Sequence, residues 1–237
     1  MKHQSKQWRA LCNSLVTLCL ASALIPSTTY ARSSGPQARL AKPAAGESPT
    51  DQLAGRLTLE DLAICAVYRD PNKALRIVNT AGATKESWDL IDSFFATYDE
   101  CLSSGGIKFP ADLVRGYFFR ALYLRYYRKT GPTDFSTVQT RYRELYGPEM
   151  TQPEMVDFAF QEFAECVVKA NPTVARKLQL SRAGSQSEIE AFSGLRPQLS
   201  ACLTIASEIK FSKAKLKGVL AEAIYRYSKA AQPDGQR

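Results

Sequence analysis

The residues best suited to chemistry in this chain are cysteines, and their spacing repeats. Cys65 and Cys101 are 101 − 65 = 36 residues apart, and Cys166 and Cys202 are 202 − 166 = 36 apart. Four thiols can form two disulfides, hold a metal as thiolates, or stay free. Structural zinc sites draw on cysteine pairs two to four residues apart, a spacing absent here. Buried free thiols suit the cytosol, whereas disulfides suit an exported protein. Four cysteines allow three connectivities. Equal spacing in two copies of one unit selects Cys65 with Cys101 and Cys166 with Cys202. Each bridge would close a loop of about 37 residues, worth on the order of 3 to 4 kcal/mol in the chain-entropy estimate.

Other chemistry is thinly provided. The one histidine, His3, lies in a segment that reads as a cleaved signal, so the exported chain would have none. That excludes Ser-His-Asp and Cys-His catalysis, His-ligated zinc and a histidine proton shuttle, and leaves carboxylate or lysine chemistry. The pairs Glu60/Asp61, Asp89/Asp92 and Asp99/Glu100 would serve a glycosidase only if two carboxyls faced each other across a cleft; adjacent acids on a helix are ordinarily solvated. RAGS and SSGG fit neither a phosphate-binding loop, a nucleophile elbow nor a nucleotide fingerprint. No catalytic residue, metal site or cofactor is assigned.

Two patterns could form a binding surface. In LVRGYFFRALYLRYYRK, residues 113–129, aromatics alternate with Arg115, Arg120, Arg125 and Arg128. Such a segment can stack on sugars or bases or sit on an anionic membrane. Its apolar residues fall nearly all round the helix, however, which favours a buried helix with snorkelling arginines. Gly116/Tyr123 and Gly218/Tyr225 share a spacing of seven, which puts each pair on one helical face. Glycine inside a helix costs about 1 kcal/mol, and close helix packing is favoured over a ligand groove as the compensation. If a surface is functional, its residues are Arg115, Arg120, Tyr123 and Arg128, with Lys217 and Tyr225 in the second copy.

The elements that must position these residues follow from punctuation and periodicity. Residues 1–31 read as a secretory signal, with a basic start, the apolar run LCNSLVTLCLASALI and a small-residue end at Ala31. The run is too short and too polar for a membrane span, although a retained anchor is the alternative. Losing Lys2, Lys6 and Arg9 lowers the formal charge from +8 to 28 − 23 = +5 over residues 32–237. That excess favours an anionic partner, such as acidic lipid or glycan, or simply a basic solvated exterior. Export makes nucleic acid an improbable partner. Residues 32–56, rich in Pro, Gly, Ser and Ala, read as a flexible leader.

The rest is duplicated. CAVYRDPNKA and CVVKANPTVA align at an offset of 101, and after the second cysteine an offset of 102 aligns IKF with IKF, Gly116 with Gly218 and Tyr123 with Tyr225. Asp70-Pro71 and Asn171-Pro172 each set an N-cap before a proline at the first helical position. Ser185 to Glu188 has the form of a capping box, with Thr84 in the matching place. The expectation is therefore an all-α protein: two tandem disulfide-stapled units of about four helices, packed as a helical-repeat-like bundle. Unit 1 spans 57–129, with helices over 57–69, 71–79, 85–104 and 110–129. A connector follows at 130–153. Unit 2 spans 154–231, with helices over 154–170, 172–181, 186–207 and 212–230, and 232–237 is a flexible tail. Strand signals are absent.

The pattern A-x-C-x-V-x-x-x-x-P-x-x-A, with a cysteine 36 residues after the first, IKF and a closing G-x6-Y helix, resembles exported α-helical proteins of Gram-negative bacteria. The resemblance covers most of the exported chain and implies no activity. A likeness to tetratricopeptide hairpins is superficial, since unit length and cysteines depart from it. The expected function is an exported interaction or structural module of the envelope, periplasmic or secreted, with an envelope protein or an anionic lipid or glycan as its partner. An envelope-polymer hydrolase or lyase using carboxylates between the units is the alternative. The missing glycosylation sequon agrees with a bacterial setting.

Overall fold

The computed structural model describes residues 39–40, 48–101, 109–203 and 210–232. The expected signal, most of the leader and the last five residues lie outside the described residues. Eight α-helices form the body: α1 Pro49–Arg69, α2 Pro71–Asn79, α3 Lys85–Thr97, α4 Ala111–Tyr127, α5 Gln152–Ala170, α6 Pro172–Leu180, α7 Gln186–Ala201 and α8 Lys213–Ala230. The helix order of one unit recurs in the other. Beyond the helices, β1 (Arg39–Leu40) pairs in parallel with β2 (Lys210–Phe211), a two-residue contact that no alternating pattern announces. None of the described helices is long and apolar enough to cross a membrane.

Local sequence sets most boundaries. Asp70 Oδ1 accepts the Lys73 amide at 2.7 Å and Asn171 Oδ1 accepts that of Val174 at 3.2 Å, so each proline-headed helix starts at an answered amide. Thr84 and Ser185 hold α3 and α7 in the same way, at 3.2 Å each. The second half of the expected Ser185 capping box does not form, because the Glu188 carboxylate turns into the core.

Four boundaries depart from expectation. Helix α1 starts at Pro49, well inside the expected leader, because Ser48 and Asp51 close a reciprocal capping box. Helix α5 starts at Gln152 for the same reason, with Thr151 and Glu154. Helices α3 and α7 stop at Thr97 and Ala201, short of the expected 104 and 207, so that the chain turns at each second cysteine. Cys65–Cys101 and Cys166–Cys202 are both bonded, with Cα atoms 5.7 and 5.8 Å apart.

The units share one core. Its axis is the crossing of α4 and α8, where Gly116 faces Gly218. These positions match at the offset of 102 that aligns the two last helices. A Cβ on Gly116 would lie 2.7 Å from Gly218 Cα, so the backbones meet at a distance only glycine permits. The helix-breaking cost of each glycine is offset by this approach. Around it Tyr117, Phe118, Phe119, Leu122, Leu220 and Ile224 are buried. The connector also enters the core: Phe135 stacks on Tyr227, and a 3-10 turn at Tyr142–Leu145 sets Tyr142 and Tyr146 against Phe158.

Candidate functional site

The expected binding surface is not a surface. Arg115, Arg120, Tyr123, Lys217 and Tyr225 are all at most 4 % exposed, and Arg128 alone of the six faces solvent. The physical reason is the position of α4 and α8 at the centre of the bundle, where Arg115, Arg120, Lys217 and Glu222 are enclosed. Tyr123 accepts a hydrogen bond from Arg176 at 2.7 Å, and the Tyr225 ring packs on Phe119 and Tyr127. Arg125 behaves as a surface residue, its guanidinium over the Tyr68 ring.

The buried charges form two clusters related by the repeat. In the first, Lys217 Nζ donates to Glu60 Oε1 at 2.7 Å, to Glu188 Oε1 at 2.9 Å and to the Ser181 carbonyl at 2.9 Å. Arg56 donates to Glu188, while Arg120 reaches the carbonyls of Gln179 and Ser181 and lies 3.7 Å from Glu60. Burial and the neighbouring Arg120 pull the Lys217 pKa down against its two carboxylates. Burial works against the Glu188 charge, but Lys217, the Gly184 amide and Arg56 hold its pKa below the usual range.

The second cluster puts Arg115 on the position of Lys217. Its Nη1 donates to Glu222 Oε2 at 2.5 Å and its Nη2 to the Thr80 carbonyl at 2.9 Å, the counterpart of Ser181. Glu222 stands where the first cluster has Arg120, and also accepts from Gln161 at 2.9 Å and twice from Arg226. Burial opposes its charge, yet Arg115 and Arg226 keep its pKa low. Asp157 completes the group. Its Oδ2 accepts from Tyr146 at 2.6 Å. Burial, then the nearby Glu222, raise its pKa against Arg115, Tyr146 and Lys215. Among the described residues Asp157 is the one buried charged side chain with no ion-pair partner.

A cavity opens on this second cluster. A throat of about 10 Å³, room for one water-sized group, is lined by Ser87, Arg115, Asp157, Gln161 and Glu222. It adjoins an outer basin of about 470 Å³ bounded by Trp88, Val156, Phe160 and the Asp112–Lys215 ion pair. Trp88 and Val156 are exposed at this rim. Ala83, in the wall of both spaces, has φ 57°, a left-handed conformation for which its counterpart is Gly184. Such strain in a non-glycine residue gathers at functional sites. Gly82 is needed beside it, since a Cβ there would collide with the Asp157 carboxylate.

The acid pairs singled out by sequence do not converge. Glu60 is buried in the first cluster; Asp61 bonds Arg182 on the surface at 3.0 Å through both oxygens, Asp89 pairs with Lys85 on the surface at 2.6 Å, and Asp92 is exposed. Glu100 lies 3.9 Å from exposed Arg69, and the Asp99 side chain lies outside the described residues. Asp157, Gln161, Glu188 and Glu222 were missed. Aligning the two last helices would have exposed part of the signal, since Arg115 matches Lys217 while Arg120 faces an acid, Glu222, in the other copy. Searches against protein-family models, curated proteins and solved structures find no match to this chain.

Proposed function

We propose that the protein is an exported, non-catalytic binding module of the bacterial envelope, and that its ligand site is the basin between α3, α4, α5 and α8. One observation carries the reading: the buried charges of the twin cluster are fully engaged with one another, whereas the cluster under the basin keeps an unpaired carboxylate below an apolar, tryptophan-rimmed concavity. Small-molecule sites have this form, mostly apolar walls with a few placed polar groups. Export is supported by the two disulfides and by the signal-like start of the chain. The six residues expected to form a surface give no support to an anionic partner, because five of them are enclosed.

The polymer-hydrolase reading would rest on Asp157 and Glu222, whose pKa values are pushed apart as an acid and a base require. Against it, both Glu222 oxygens are held by arginines and Gln161, and the throat admits one water-sized group, not a sugar ring.

The reading is tested by fluorescence with Trp8 replaced by Phe, which leaves Trp88 as the one tryptophan. Apolar probes of the size of hexanol should shift Trp88 emission saturably, and Val156→Asp should abolish the shift. A linear, unsaturable response in both proteins would refute the basin as a ligand site.

A further inference from the structure

The two clusters are the same construction with opposite charge, and only one is complete. Positions 56 and 157 are equivalent, as are 87 and 188, at the repeat offset of 101. In the complete cluster Arg56 reaches from α1 to Glu188 on α7, and Leu53 packs over Gly184. In the open cluster the corresponding residue of α5 is an acid, Asp157, and the corresponding residue of α3 is Ser87, which cannot answer it with charge. Where the chain supplies its own cation in one unit, it leaves an anion facing a cavity in the other. Oδ1 of Asp157 has no hydrogen bond among the described residues.

We infer that this cavity recognises a primary ammonium on an apolar stem, with the ammonium in the throat against Asp157 and Ser87 and the stem along Trp88, Val156 and Phe160. The inference rests on the basin reading and narrows it. Size selects ammonium over guanidinium, since the throat admits one water-sized group. Charge agrees: the lining carries Asp112, Asp157 and Glu222 against Arg115 and Lys215, so 3 − 2 leaves one negative charge in excess. Of these acids, Asp112 is matched by Lys215 at 2.7 Å and Glu222 by Arg115 and, from behind, Arg226. The unmatched carboxylate, Asp157, lines both the throat and the basin. The N-termini of α3, α5 and α8, which would favour an anion, are capped by Thr84, Thr151 and Ser212, and α4 carries Asp112 in its first turn.

The test compares hexylammonium, 1-hexanol and hexanoate by calorimetry on the oxidised full-length chain and by Trp88 emission on its Trp8→Phe variant. Hexylammonium should bind roughly tenfold to a hundredfold more tightly than hexanol, the range for a hydrogen bond to a charged group. Asp157→Asn should bring it down to the hexanol level while leaving hexanol binding unchanged. Hexylammonium affinity should also rise as pH increases through the Asp157 titration; the other groups facing the site are Tyr146 from the connector, Arg115 and Asp112 from α4, and Lys215 and Glu222 from α8. Equal binding of hexylammonium and hexanol would overturn the ammonium inference while the basin reading stands. Tighter binding of hexanoate would overturn it as well. Failure of all three probes would take the basin reading with it.

Discussion

Replacing Gly116 by alanine puts a methyl group 2.7 Å from Gly218 Cα, 3.1 Å from its carbonyl carbon and 3.4 Å from its oxygen. All three neighbours are backbone, so no side chain can rotate away and α4 must move off α8. Overpacking of this kind costs about 1 to 3 kcal/mol, and contact with a helix backbone belongs at the upper end. Better helix propensity returns about 1 kcal/mol. The expected net loss is about 2 kcal/mol. The equivalent substitution on the partner helix, Gly218→Ala, meets Gly116 Cα at 3.2 Å, so a few tenths of an ångström suffice and the net change should fall within about 1 kcal/mol of zero. Gly55→Ala on α1 has nothing within 4 Å of the new carbon and should stabilise by about 1 kcal/mol from propensity alone. Urea denaturation with both disulfides intact reads all three as shifts in midpoint at constant slope. If Gly116→Ala proves as stabilising as Gly55→Ala, the two helices do not meet at this glycine pair and the shared axis of the units is wrong.

Further outcomes follow from the charged clusters and the loops beside them. Lys217→Met leaves Glu60 and Glu188 without their shared cation and should cost about 3 to 5 kcal/mol, measured by the same denaturation. Asp157→Asn keeps the hydrogen bond to Tyr146 and removes the unpaired charge; it should stabilise the protein at neutral pH by roughly 1 to 3 kcal/mol. The sign with pH is set by the raised folded-state pKa of Asp157, which makes the native state bind more protons than the unfolded chain, so stability falls as pH rises from the unfolded value up to the folded one. That descending limb should be missing from the Asn variant. Ala83→Gly relieves a left-handed alanine and should stabilise by up to about 1 kcal/mol, the strain relief less the entropy of an added glycine. Replacing Cys166 and Cys202 together by alanine should cost about 2 to 4 kcal/mol.

Much of this architecture is readable in the sequence. The duplication carried the disulfide pairing, and Asp70-Pro71, Asn171-Pro172, Thr84 and Ser185 marked helix starts that depend on one local hydrogen bond each. The start of α1 was readable too, in Ser48 and Asp51, but the Pro, Gly and Ala around them gave the segment the composition of a linker. The candidate site was harder to see. Arg115 and Lys217 looked like surface residues because charge on a helix usually means solvent, and only the crossing at Gly116 and Gly218 encloses both sides of α4 and α8. Asp157 becomes distinctive through what lies opposite it, Ser87 in place of an acid, and through Tyr146, delivered from a connector with no counterpart in the first copy. Those relations are set by packing between distant segments and leave no local pattern.

The pairing of an unmatched Asp157 with a ligand cation is tested most directly by following its carboxyl carbon by NMR across pH, with and without saturating hexylammonium. In the free protein the carboxyl should titrate above the usual aspartate range, because burial and Glu222 disfavour its charge. With the ammonium bound, the titration should move down, since an opposite charge in contact favours the carboxylate. A titration midpoint that does not move when hexylammonium is added would contradict the account.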